Sequence, residues 1–174
     1  MNLPFLLTVS ILPDIDLVLR FVEHRGPTHS LVTAALVMIP FFIVYRKTAI
    51  PYFAALLSHS LIGDFFTGGT QLFWPFSTAT IGTNSIEMGS LLDASIELTL
   101  FAISLAIMFK ARDLHRLVEP KNYNAVLLLP AMAVLAPLLA VGRGSESSLP
   151  SLLIAPSLFW LVVFAYSVIA DLRK

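Results

Sequence analysis

Apolar positions in this chain come in long runs rather than in the one-sided stripes or strict alternation of a soluble fold. Crossing a bilayer core takes about 20 mostly apolar helical residues, and only helices or closed barrels satisfy every backbone group in lipid. Barrel-like alternation is missing. Four runs meet the length with modest interruptions: residues 29 to 45, 50 to 66, 92 to 109 and 150 to 170. A fifth, 124 to 141, carries Pro130 and Pro137, where kinks are expected. The opening run, 3 to 12, is apolar for about half a span before Pro13 and Asp14 break it, so a short, tilted or re-entrant helix is predicted there. The expected fold is all-α, a polytopic transmembrane helix bundle of five to six hydrophobic helices forming one membrane-embedded domain over residues 1–174.

Composition agrees: 57% of the residues are apolar, 13% are charged, and the mean hydropathy is +0.84, so lipid is the expected solvent for most of the chain. The 11 basic and 11 acidic residues cancel, which gives no reason to expect nucleic acid as a partner. Cysteine is absent, so thiolate ligands, disulfides and a cysteine nucleophile are excluded and any metal must be held by nitrogen and oxygen. The amino terminus lacks the basic region and cleavage site of a secretory signal and reads as mature structure.

The charges are unevenly distributed. If each segment crosses once, Arg20, Arg25 and Arg143 share one face, while Arg46, Lys47, Lys110, Arg112, Arg116, Lys121, Arg173 and Lys174 share the other. That bias assigns the second face to the cytoplasm. Asp14, Asp16, Glu23, Asp64, Glu87, Asp93, Glu97 and Glu146 then fall at or near the outer face.

Three stretches converge there: Leu12-Pro13-Asp14-Ile15-Asp16, His24-Arg25-Gly26-Pro27-Thr28-His29-Ser30, and Ser58-His59-Ser60-Leu61-Ile62-Gly63-Asp64. Ionised carboxylates within apolar sequence cost several kcal/mol unless compensated, and a cation would compensate Asp14 and Asp16. The plainer reading is a helix-capping Asp14 and a solvated Asp16. His24 and His29 bracket a Gly-Pro pair, so a tight turn can aim both imidazoles at one point, with Thr28 positioned to cap the helix that follows. His59 and Asp64 are five residues apart, about 140° on an ideal helix, so a distortion or helix end near Gly63 is needed for both to reach one ion. Otherwise Asp64 supports a ligating imidazole. Asp93 and Glu97 lie on one helix face. Asp93 reads as a helix-start acid, and Glu97, a turn inside the apolar run, as a candidate general base. Arg25 could steady an anionic substrate group, or simply snorkel. The loop from Thr67 to Gly89, with its glycines and Phe73-Trp74-Pro75-Phe76, could cover the site, although anchoring is the commoner role of interfacial tryptophan. Nitrogen and carboxylate donors suit a divalent metal, zinc or manganese first and iron next, and such an ion makes hydrolysis the economical chemistry.

The same residues carry a resemblance. The Leu12 to Asp16 block followed by His24 to Ser30, and Ser58-His59 with Asp64, Thr67 and Gly68, resemble the signature of the prokaryotic LexA-binding, inner-membrane-associated hydrolases, also called membrane-bound metal-dependent hydrolases. The resemblance covers roughly the first half of the chain. It implies a multi-pass protein of the inner cell membrane, with metal held by Asp14, Asp16, His24, His29, His59 and Asp64, a site that the charge bias, not the resemblance, puts at the non-cytoplasmic face. Members usually carry a further amino-terminal helix with a histidine, which does not precede the block in this sequence. The expected substrate is a lipid, phosphoester or other amphiphile arriving from the membrane lipids. The competing classes are a non-catalytic adaptor presenting the basic loop 110 to 121 to a regulatory protein, and a divalent-ion carrier. Against a carrier, the last two apolar runs are nearly devoid of polar residues. Oligomeric state is not encoded in any of these patterns.

Overall fold

The computed structural model describes residues 2–17, 22–140 and 150–173. Arg20, Arg143, Glu146 and Lys174, which entered the charge pattern, lie outside the described residues. Among those described, the chain is all-α, with no strand and an isolated bridge between Thr70 and Ile81. Three helical runs are long and apolar enough to span a membrane, Leu31–Thr67, Leu91–Ala111 and Ser151–Leu172, with a shorter apolar one at Asn124–Leu139. Side chains that a soluble helix would bury face outward on them, with Ile43 73%, Ile107 61% and Val162 66% exposed, as helices solvated by lipid require. The fold is that of a membrane helix bundle. Its contacts fall into two units, Leu6–Ile86 and Asn2–Phe5 with Glu87–Lys174.

The first unit begins within α1 (Leu3–Ser10), at Leu6, and the helix gives way to a 3-10 segment, Leu12–Leu17, that contains Pro13; a 3-10 turn follows at Pro27–His29. The helix α2 (Leu31–Tyr45) starts on Ser30, whose hydroxyl accepts the backbone N–H groups of Val32 and Thr33. Thr28, expected as the cap, instead donates to Asp16. Although 31–67 is helical almost throughout, it folds back on itself. Arg46 takes a positive φ of 51°, a 3-10 turn spans Arg46–Ala49, and α3 (Ile50–Ser58) begins over Pro51. The rings of Phe42 and Phe53 meet at 5.5 Å, whereas eleven residues of straight helix would separate them by about 16 Å. Ala34, Met38, Ala49 and Leu56 form the buried seam between the two arms, with Val9 and Leu12 packed against it.

After α3 the chain passes through a π segment, His59–Asp64, into the single turn α4 (Phe65–Thr67). Gly68 and Gly69, at φ of 151° and 82°, end it. The following loop is tied down. Thr70 and Ile81 exchange backbone hydrogen bonds at 3.1 and 2.9 Å, and the Ser30 hydroxyl reaches the carbonyls of Leu72 and Trp74 at 3.1 and 2.7 Å.

The second unit contains α5 (Leu91–Ala111), α6 (Asp113–Val118), a 3-10 turn at Asn124–Leu127, α7 (Leu128–Ala140) and α8 (Ser151–Leu172). Pro130 falls in the first turn of α7 and Pro137 within it. Reciprocal capping starts α5: Ser90 Oγ accepts from Asp93 N–H, and Asp93 Oδ2 accepts from Gly89 N–H. Asp93 is thus the helix-start acid that its position suggests. Fully buried Asn124 donates its side-chain amide to the carbonyls of Glu119 and Ser167, which joins the segment after α6 to α8 without leaving those carbonyls unpaired.

Candidate metal centre

Local backbone chemistry delivers the polar side chains of the first unit to one place. Pro13 breaks α1 and carries Asp14 and Asp16 on a 3-10 segment; Pro27 starts the turn that ends at His29, where Ser30 launches α2. On an α-helix His59 and Asp64 would point apart. The π segment that runs between them supplies i→i+5 geometry, and residues five apart return to nearly the same side.

Two imidazoles and two carboxylates alternate in a ring of close contacts, of which Asp14, His29 and His59 form a metal-capable group and Asp64 stands beside it. His59 Nε2 lies 3.2 Å from Asp14 Oδ1 and 3.5 Å from Asp64 Oδ2. His29 Nε2 lies 3.5 Å from Asp14 Oδ1 and 3.4 Å from Asp64 Oδ2. Neighbouring ligands about an ion with bonds of 2.0–2.2 Å stand roughly 2.9–3.6 Å apart, so the spacing could admit a metal. The donors of Asp14, His29 and His59 all lie within 4.8 Å of one another. His29 Nε2 and Asp64 Oδ2 are buried, and neither has a hydrogen-bond partner. Buried polar atoms without a partner cost a few kcal/mol unless something else satisfies them.

A second set of contacts sits on the far side of the His29 ring. Asp16, with a fully buried side chain, stands 3.2 Å from His29 Nδ1 and 3.0 Å from His24 Nδ1, and it accepts from the Arg25 N–H at 3.2 Å and the Thr28 hydroxyl at 2.7 Å. His29 Nδ1 meets the Thr28 hydroxyl at 3.1 Å, the same hydroxyl that donates to Asp16; with the ring proton on Nδ1 and donated to that oxygen, a lone pair is left on Nε2. That lone pair faces two carboxylate oxygens, a repulsive arrangement that a cation would relieve. Asp16, His24 and His29 also form a metal-capable group, but its distances are those of ordinary hydrogen bonds, and the His24 side chain is 44% exposed.

Arg25 is taken up within the site. Its Nη2 pairs with Asp64 Oδ1 at 3.1 Å, and the guanidinium also donates to the Thr67 carbonyl and hydroxyl at 3.2 and 3.3 Å. This fixes Asp64 with its other oxygen free. A Cβ at Gly68 would collide with Arg25 Nη1, so the glycine makes room for the clamp. With neutral imidazoles, Asp14, Asp16 and Asp64 against Arg25 leave two negative charges, which one divalent cation would balance. In the ion-free protein burial by itself would raise the Asp14 carboxyl, but the imidazoles of His29 and His59, once they carry a proton on Nε2 in place of a metal, outweigh it and hold the group well below the usual carboxylate range.

Glu97 projects from α5 in the second unit with its residue exposed, and belongs to neither metal-capable group. Glu87 is exposed. Ser30, Thr67 and Gly68 do supporting work that the search for donors passed over. For Ser30 the signal was there, a hydroxyl residue directly before an apolar run.

The family model described as YdjM inner membrane protein matches residues 1–170. No curated protein and no solved structure gives a significant match.

Proposed function

The chain belongs to the YdjM inner membrane protein family, and on that footing we propose that it is a membrane-embedded, metal-dependent hydrolase. The observation that supports this reading is the pair of buried, unpartnered atoms, His29 Nε2 and Asp64 Oδ2, alternating with Asp14 Oδ1 and His59 Nε2 at 3.2–3.5 Å. These four side chains would hold the ion, zinc or manganese by donor type. When bound, it would supply Lewis acidity toward a carbonyl or phosphoryl oxygen and a more acidic water.

The protein's own groups then divide the remaining work. Asp16, through the Thr28 hydroxyl that donates to it, keeps the His29 proton on Nδ1, and Arg25 with Thr67 orients Asp64. His24, tied to Asp16 through Nδ1 and half exposed, keeps Nε2 for taking or giving a proton at the mouth of the site. Both Arg25 and Asp16 are positioning residues in this scheme. The substrate is an amphiphile with a hydrolysable ester, a lipid or phosphoester, and the site opens at the non-cytoplasmic face by the charge bias of the loops. Glu97, the base expected from sequence, is tested separately by Glu97→Gln: a lower kcat with metal content intact would restore that role, and an unchanged kcat leaves the proton with His24.

Elemental analysis of detergent-purified protein beside His29→Ala and Asp64→Asn variants tests the reading, with folding checked by thermal melting. Near-stoichiometric zinc or manganese, lost in both folded variants, is expected and leads to a screen of lipid and phosphoester substrates. Intact protein that takes up neither ion on incubation would overturn the hydrolase and leave the network as a structural one in an adaptor.

A further inference from the structure

A different feature lies in the second unit, where α5 ends. Arg112 closes α5 in the left-handed conformation, at φ 60° and ψ 22°, and α6 turns away from it. The turn opens a cavity of about 490 Å³, within the 300–1,000 Å³ typical of small-molecule sites. Its apolar lining comes from Met108 and Phe109 in the last turn of α5, Leu114 and Val118 of α6, and Val163 of α8. Arg112 and His115 complete the wall, and both are exposed. The floor therefore belongs to two membrane-spanning helices, while the polar part of the wall stands just past the end of one of them.

The charges around the cavity are arranged unequally. Arg116 is paired with Asp113, and Lys121 with Glu119. Arg112 and Lys110 make no ion pair among the described residues. A cavity with an apolar floor in the bilayer and unneutralised cations at its headgroup level is complementary to an amphiphile with a negative head. Basic residues directly after a spanning helix attract anionic lipid, and a guanidinium matches a phosphate's oxygens in two-pronged geometry.

We propose that this cavity is a binding site for one anionic phospholipid. An acyl chain lies on Phe109, Leu114 and Val163, and the phosphodiester is held by Arg112 and His115. The site is independent of the metal centre and involves no chemistry.

The test uses the full-length protein, delipidated in non-ionic detergent and titrated with phosphatidylglycerol or phosphatidylcholine of identical chains, with bound lipid counted by native mass spectrometry. Phosphatidylglycerol should bind more tightly by about fivefold or more, and Arg112→Gln should remove about that factor. Arg112→Gly removes the same charge while suiting the left-handed turn, so it separates loss of the site from loss of the fold. Lys47→Gln, at the tip between α2 and α3, controls for general attraction to positive charge and should leave the affinity unchanged. Equal binding of the two lipids, undiminished binding in both Arg112 variants, or an equal drop in Lys47→Gln would each overturn the proposal. Displacement of the lipid by millimolar inorganic phosphate alone would overturn it too, marking a site for free anions.

Discussion

Replacing Asp16 with asparagine separates the two roles open to that residue. As a ligand, it would lose the metal along with its charge. As the carboxylate behind His29, it should weaken the site without emptying it. Asparagine keeps the shape and one oxygen. That oxygen is best turned toward the Arg25 N–H, the Thr28 hydroxyl and His29 Nδ1, which surround Oδ2 at 2.7–3.2 Å, leaving the new amide to face the half-exposed His24. The two charge-assisted bonds to Oδ2, from the Arg25 N–H and the Thr28 hydroxyl, then become neutral ones, each weaker by about 1 kcal/mol, so the ion-free protein should lose about 2 kcal/mol. The imidazole of His29 loses basicity at Nε2, and changes of this kind typically cost about 10–100-fold in metal affinity. Zinc competition against a fluorescent chelator, read beside thermal melts of the ion-free and loaded forms, measures both effects. Expected is a site of unchanged stoichiometry and affinity reduced within that range, while Asp14→Asn falls far below it. If Asp16→Asn abolishes binding as thoroughly as Asp14→Asn, Asp16 is itself a ligand and the assignment made from geometry fails. If affinity does not change at all, Asp16 does not orient His29.

Gly68→Ala forces a side chain into a positive φ of 151° and into Arg25. It should cost about 1–3 kcal/mol and loosen Asp64, so the melting point falls and zinc affinity falls with it; loss of stability alone would show that the clamp does not act on the site. Ser30→Ala removes the cap of α2 and the ties to Leu72 and Trp74 together, with an expected loss of about 1–3 kcal/mol in a thermal or denaturant melt. Metal occupancy should fall as the pH is lowered into the range where protons compete with the ion for imidazole nitrogen. Asp14 should add no second step in that range because its carboxyl is held low. Its contribution to the ion-free fold is fully present above the ordinary value of 3.8 and is lost only as pH falls through its lowered folded value. Melting curves against pH check the sign, and a loss assigned to Asp14 at pH 5 by comparison with Asp14→Asn would contradict it.

Much of this was legible in the sequence because the signals are local. Run length revealed the helices; charged or imidazole groups within or beside apolar sequence are costly enough to stand out, which brought Asp14, Asp16, His59 and Asp64 forward, and the Gly-Pro pair they bracket brought His24 and His29. What escaped depends on direction rather than identity. Nothing in the spelling distinguishes Asp16, behind the His29 ring, from Asp14, in front of it. Arg25 reads as a free cation until Asp64 and Thr67 are seen to occupy it. The need for a distortion between His59 and Asp64 follows from helical periodicity, but that it takes the form of a π segment does not. Ser30 was readable as a cap, yet its second function, holding the loop at Leu72 and Trp74, joins residues more than forty positions apart, beyond any local pattern.

A π segment amounts to an α-helix carrying one surplus residue. Leu61, Ile62 and Gly63 within it are exposed, and a Cβ at Gly63 would meet nothing within 4 Å. Exchanging these letters should therefore matter little. Omitting one of them is another matter, for the helix would close into ordinary α register and everything beyond, Asp64 and Thr67 first, would swing by about 100° around its axis. The geometry of the centre is thus written partly in chain length: the stretch that supports it is permissive to substitution and intolerant of deletion.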